Sequence, residues 1–405
     1  MPSSISSSEA VLELRDLPDA GADAHAARET ASDRPGVAQP VPQRPVPPQP
    51  WNRIALGALA LFALLLGGWE AYWRAFGATP GTRNTEKLWA NQRRRIDAGE
   101  GGATVLVGAS RVYFDVQLDV WQKLAGERPI QLAFEGTSPL GFLEDLAADP
   151  NFHGRVLVGV APQVFFTGFA YRGHALKTFQ KESPSQRFGQ WLSMNTVERT
   201  FAFYDPDFAL ATVLKRQPWP ERPGKHAFLD VRKLSVSEPD RATHLWSKVE
   251  TDLDYREVTR AVWRQEFVPD PDDPPPEKML EKRREQIARA AKIVATLRER
   301  HIPVLFVRPP SGGPFLEYED RAFPRAETWD ALLAATGAPG IHFQDYPELQ
   351  GGELPEWSHL THADAEKFTA ALYTIVARDF WKKDGAAAAT ATATDTPAAP
   401  PPTAP

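Results

Sequence analysis

The sequence predicts an α/β fold: three layers, α/β/α, around a parallel sheet, with one apolar helix ahead of it. Three observations carry this. Short continuous apolar runs at 104–108, 129–134, 155–162 and 302–308, with a weaker one at 340–344, read as strands buried on both faces. Helical patterns alternate with them, as crossover connections between parallel strands require. Finally, residues 54–69 (IALGALALFALLLGGW) contain no charge at all.

Composition narrows the classes. The chain has 405 residues, 42% of them hydrophobic, which is enough for one large core. Its net charge is −6 with no long basic block, so nothing points to nucleic acid. Cysteine is absent, which excludes disulfides, thiol catalysis and cysteine-ligated zinc.

Taken in order, residues 1–50 are rich in Ser, Ala, Asp and Pro and bury too little to offset ordering entropy, so a disordered arm is expected. A transmembrane anchor is expected over 51–76, entering the membrane through residues 54–73. Trp51 flanks one side and Trp69, Tyr72 and Trp73 the other, as interfacial anchors do. A cleaved signal peptide is the competing reading, but fifty polar residues before the apolar region are unusual for one. Positive residues flank both ends, so orientation rests on the downstream chemistry, which favours an exported domain. Residues 77–99 read as a linker containing a polar, basic helix.

The main domain is expected over 100–382. Helices are predicted around 117–125 and 141–148. An insertion, mainly helical or irregular and rich in aromatics, is expected at about 167–275, ending in the acidic, proline-rich 270–276. The clearest amphipathic helix is 277–300, with Leu280, Ile287, Ala290, Ala291, Val294 and Leu297 on one face. A final helix is predicted from His362 to Trp381, with Thr361 as its N-cap and Asp364 as capping-box partner. The Ala/Thr/Pro tail at 383–405 has nothing to fold.

One stretch organises the chemistry. The strand at 104–108 ends in Gly108, Ala109 and Ser110, a turn that presents a hydroxyl where open α/β sheets hold their ligands. A serine needs a general base, commonly a histidine oriented by a third group. His359 lies on the loop before the final helix, at the same sheet edge, and Glu356 three residues earlier can loop back to fix its tautomer. Alternatives stand beside this. Ser110 would otherwise cap a helix, and His359, His362 and Asp364 would otherwise form a metal site. Arg111 either binds an anionic group or pairs with Asp115, and Arg308 marks either a substrate contact or an ordinary strand exit.

With Ser110 in a Gly-x-Ser turn after the first strand and acid-x-x-His-Leu before the last helix, the chain resembles the SGNH (GDSL-type) hydrolase superfamily. That resemblance implies a flavodoxin-like fold, with Ser110 as nucleophile, His359 as base and Glu356 as orienting acid. It also implies an oxyanion-hole glycine at Gly136. Ala109 stands where the family has Asp, and Glu356 where it has Asp. Ala161 and Pro162 stand where it has Asn-Asp, leaving Gln163 as a substitute donor.

The single anchor, the Gly-x-Ser-Arg turn and Val307 to Ser311 further resemble the membrane-anchored SGNH-like proteins of bacterial polysaccharide O-acetylation, as in alginate. That layout implies serine-dependent acyl transfer to, or ester hydrolysis on, a glycan at the periplasmic side of the cytoplasmic membrane. A multi-pass O-acyltransferase is the implied partner, and no cofactor or metal is called for. The second reading is a catalytically inactive SGNH-like protein that binds glycan or assists assembly.

Overall fold

The computed structural model describes residues 49–217, 229–268 and 274–381. The arm and tail expected at the two ends, and most of the acidic, proline-rich stretch at 270–276, lie outside these. Two units are distinguished, residues 1–63 and 64–405.

Helix α1, Trp51–Phe76, is 26 residues long with a mean hydropathy of 1.9 in its most apolar window. At 1.5 Å per residue it measures about 39 Å, longer than the ~30 Å hydrocarbon core of a bilayer. Length and composition therefore suffice for one crossing.

The second unit is built on a sheet of five strands in the order β2-β1-β3-β6-β7, every neighbouring pair parallel. The chain enters through α2 (Glu86–Arg95), then β1 (Thr104–Val107), α3 (Ser110–Asp115) and α4 (Leu118–Ala125). Next come β2 (Ile130–Gln131), α5 (Leu140–Ala148), β3 (Arg155–Gly159) and α6 (Pro162–Phe165). The insertion contains α7 (Ala175–Lys181), α8 (Pro184–Asn195), α9 (Val197–Thr200) and α10 (Leu210–Lys215). It continues through β4 (Ser235–Ser237), β5 (Thr243–Leu245), α11 (Ser247–Thr251) and α12 (Leu253–Glu266). The sheet resumes with α13 (Pro276–Glu299), β6 (Val304–Arg308), α14 (Gly313–Ala322), α15 (Trp329–Thr336), β7 (Gly340–His342) and α16 (His362–Ile375).

The strands are buried on both faces, and their alternation divides the core in two. Val105, Val107, Val156, Val158 and Phe306 face one apolar cluster, built with α2, α5, α13 and α15. Leu106, Leu157, Leu305, Val307 and Ile341 face the other, built with α3, α4 and α16. This is the period-two pattern of strands covered on both sides. The order of strands reverses between β1 and β3, and the carboxyl ends of strands at such a switch point are where open α/β sheets place their ligands.

Two expectations need correction and one is extended. The basic helix before β1 is no loose linker: Leu88, Trp89 and Ala90 are fully buried, and the Trp89 indole donates to the Leu132 carbonyl at 2.9 Å. The insertion is mainly helical, as expected, and adds one antiparallel ribbon, β4 with β5, whose three-residue strands are too short to show alternation in sequence. Thr361 does cap α16 through Asp364 N, but the Asp364 carboxylate instead accepts from Glu353 N at 2.8 Å. It ties down the loop before the helix rather than closing a capping box.

Candidate active site

Every sequence-predicted site residue lies at or beyond the carboxyl end of a strand, and parallel strands bring these ends to one edge. Ser110 follows β1, Gly136 follows β2, Gln163 follows β3, Arg308 ends β6, and Glu356 with His359 lies between β7 and α16.

The serine turn is fixed by a close approach of backbones. A Cβ on Gly108 would lie 3.2 Å from the Cα of Gly159, and one on Gly159 would lie 2.2 Å from Val112 Cγ2. Only glycines let β1 and β3 converge with Val112 of α3 wedged between them. Ala109 is extended, and α3 begins at Ser110, so the backbone N–H of Ser110 is among the donors a helix start leaves unsatisfied. Ala109 packs against Ala161 and Val164, which makes the strip beside Ser110 apolar.

Helix α3 is clamped to the histidine loop at three successive points. Arg111 Nε donates to Ser358 Oγ at 3.3 Å, and the Phe114 ring lies 4.5 Å from the His359 ring. Asp115 Oδ1 accepts from Leu360 N at 3.0 Å. Ser110 leads this helix and is half-buried.

Within the loop, Glu356 and His359 are both buried and form one unit. Glu356 Oε1 accepts from His359 N at 2.6 Å and from His359 Nδ1 at 2.8 Å. Its Oε2 accepts from the Trp263 indole N–H. A carboxylate that accepts from Nδ1 requires that nitrogen to carry a proton, so in the neutral imidazole Nε2 is the nitrogen with the lone pair. Nε2 is buried and bonds neither Ser110 nor any other described group. The turn that folds Glu356 back on His359 passes through Trp357 at φ 73, a left-handed conformation costly for a residue with a side chain. Its carbonyl accepts from Gly312 N at 2.9 Å, and the Arg260 and Arg264 guanidiniums cover its ring at 5.0 and 5.2 Å.

No family model matches this chain, and no curated protein matches it at a significant level.

The two arginines are committed inside the protein. Arg111 forms an ion pair with Glu319 at 2.8 Å rather than with Asp115, and Arg308 donates to Glu319 at 2.6 Å and to Ser311 at 3.1 Å. Burial alone would raise the Glu319 carboxyl, but Arg111 and Arg308 hold it below its usual range. Burial likewise pulls Arg308 down to about 10, against the attraction of Glu319. Gly136 is left-handed at φ 56, and its carbonyl accepts from Tyr171 N at 2.9 Å. Gln163 has its side-chain carbonyl oxygen buried without a partner.

The three residues of the alternative metal site do not converge. His359 is bound to Glu356, His362 stacks on His244 at 3.9 Å, and Asp364 pairs with Lys367 and Glu353 N. Among the described residues, no group of three or more His, Asp or Glu side chains is arranged to hold a metal ion.

Trp263 and Asp115 are the functional candidates that sequence reasoning missed. Trp263 reaches Glu356 across 93 positions from an aromatic-rich insertion, and no local spacing announces that. Asp115 stands in the serine motif itself, but its partner is an amide on a distant loop.

Proposed function

We propose that this chain is a membrane-anchored serine O-acyltransferase or acyl esterase of the SGNH type, with a three-layer, flavodoxin-like catalytic domain. The observation that carries this reading is His359. Its Nδ1 is held by a buried carboxylate with three donors, while its Nε2 lone pair is desolvated and unspent, on a loop docked against the helix that Ser110 begins. A buried acceptor without a partner costs roughly 1–3 kcal/mol, a cost that a proton accepted from Ser110 relieves.

In this reading His359 Nε2 takes the Ser110 proton as Oγ attacks an acyl carbonyl. Catalytic hydrogen bonds in sites without substrate are commonly long or unformed, so in this reading the Ser110–Nε2 bond forms in the substrate complex. The backbone N–H groups of Ser110 and Gly136 hold the developing oxyanion, with the Gln163 amide beside them. His359 then returns its proton to the leaving group. The acyl group passes to a sugar hydroxyl or to water. Arg111 and Arg308, spent on Glu319, brace the site instead of binding substrate.

The resemblance stated above supports a glycan as acyl acceptor, an exported domain on the cytoplasmic membrane of a bacterium, and a multi-pass O-acyltransferase as donor. A second reading, a non-catalytic glycan-binding or assembly protein, is favoured by Ala161 and Pro162 at the position of the family's Asn-Asp.

The full chain in detergent, incubated with p-nitrophenyl acetate, separates the two. Acetyl release that disappears in Ser110→Ala, and acetyl transfer to an added polysaccharide, are expected. Release no faster from the native chain than from Ser110→Ala leaves the binding reading.

A further inference from the structure

The insertion carries apolar side chains that the other described residues of its unit do not cover. On α8, Phe188 is 62% and Trp191 58% exposed, and Leu192 beside them is exposed too. These three share one face at helical spacing, and the two rings stack at 5.7 Å. Leu210, opening α10, is 58% exposed, and α10 buries no residue at all.

This segment is joined to the end of the apolar helix. Within the unit 64–405, Leu64 and Leu65 of α1 are exposed, whereas Trp73 two turns later is buried. Between them, α1 grips residues 200–208. The Trp69 indole donates to the Phe208 carbonyl at 3.3 Å, and Trp73 stacks on the Phe208 ring at 4.5 Å. The Glu70 carboxylate accepts from Ala202 N and Phe203 N at 3.0 and 3.1 Å. Arg74 donates to the Thr200 carbonyl at 2.9 Å. Leu210 is two residues beyond Phe208, within about 8 Å along the chain. On the other side, Ser193 at the end of α8 donates to Glu198 of α9, which Arg83 N also holds.

We infer that Phe188, Trp191, Leu192 and Leu210 form a membrane-contact surface, seated at the headgroup boundary of the same bilayer that residues 54–73 cross. This rests on those residues being a retained anchor. If the bilayer reaches Leu65, its interface passes the level of Trp69 and Tyr72, where residues 200–208 are fastened. Aromatic and leucine side chains there gain apolar burial at the acyl boundary, and Trp keeps its N–H in the polar layer. The domain is then held to the membrane at two places instead of hanging from one helix, which restricts the approach of the serine edge to the surface.

The absence of native cysteine makes the test direct. Single-cysteine variants Phe188→Cys, Trp191→Cys and Leu210→Cys of the full chain are spin-labelled in nanodiscs of equal parts phosphatidylethanolamine and phosphatidylglycerol. Leu59→Cys serves as the lipid reference and Met279→Cys as the aqueous one. The ratio of oxygen to nickel-chelate collisions is expected to be severalfold higher at 188, 191 and 210 than at 279, approaching that at 59. Values at those sites equal to 279, with 59 in lipid, overturn the surface but leave the anchor. Labels there shielded from both reagents also overturn it, because a protein then covers the patch. A water-exposed 59 overturns both readings.

Discussion

At the residue scale, the chemistry turns on which atoms of the Glu356–His359 pair are spent. His359 Nδ1 is committed and Nε2 is not, and the commitment depends on Glu356 staying an acceptor for three donors. Replacing His359 by Ala is expected to slow acylation of Ser110 by about 10²–10⁴, the usual worth of a general base. Trp263→Phe keeps an aromatic ring, though a smaller one, and loses the donor to a charged group, worth about 1.5–3 kcal/mol, so acylation should slow about ten- to hundredfold while KM moves little. Unchanged acylation kinetics in that variant would reduce Trp263 to a packing residue.

Asp115 makes a different prediction. Burial raises its carboxyl well above the usual range, with one oxygen held by Leu360 N and the other unpartnered. A raised folded-state pKa means that its contribution is present below the unfolded value of about 3.9 and is lost as pH climbs through the folded value. Asp115→Asn retains an acceptor without the charge. Its melting temperature should therefore exceed that of the native chain at neutral pH, with the gap closing toward pH 4. A gap that widens on acidification contradicts this. The serine, histidine and acid were legible because a Gly-x-Ser turn after a strand and an acid three residues before a histidine are local patterns. Trp263 and Glu319 act through space, and their own neighbours in sequence say nothing of it.

At the scale of elements, the serine turn depends on two strands converging with a helix wedged at their ends. Gly159→Ala sets a methyl 2.2 Å from Val112 Cγ2, so α3 must shift. Overpacking of this kind costs roughly 1–3 kcal/mol. The cost should be largely relieved in the double variant with Val112→Ala, which denaturant midpoints of the four proteins would reveal as strong non-additivity. Additive effects would mean that the two positions do not compete for one space.

Elements were readable where a periodic signal was long. The amphipathic pattern expected at 277–300 is α13, Pro276–Glu299, displaced by one residue at each end. The run at 129–134 yields only Ile130–Gln131 as ladder, although Leu132 N and Phe134 N continue bonding to Leu106 and Gly108. Beyond Phe134 the chain leaves β1 to form the loop bearing Gly136. The individual helices of the insertion were not resolved because most are short and several of its apolar groups face outward, so no single face could be inferred.

At the scale of the whole molecule, the sheet gathers residues from five separate stretches at one edge, and α12 of the insertion completes the acid–histidine unit through Trp263. The insertion is therefore part of the site as well as a surface feature. Retention of α1 is a separate claim. The full chain should stay in the membrane fraction after alkaline carbonate extraction, with its original amino terminus detected by peptide mapping. A mature form beginning after residue 76 would instead identify a cleaved leader.

The central claim is that Ser110 is a nucleophile poised for His359. Its most direct test is mass spectrometry of the full-length protein after treatment with a fluorophosphonate, with the adduct mapped by peptide sequencing. A single adduct on Ser110 is expected, formed much more slowly in His359→Ala and not at all in Ser110→Ala. No adduct under conditions that fully label a control esterase, or an adduct that persists without Ser110, would contradict it.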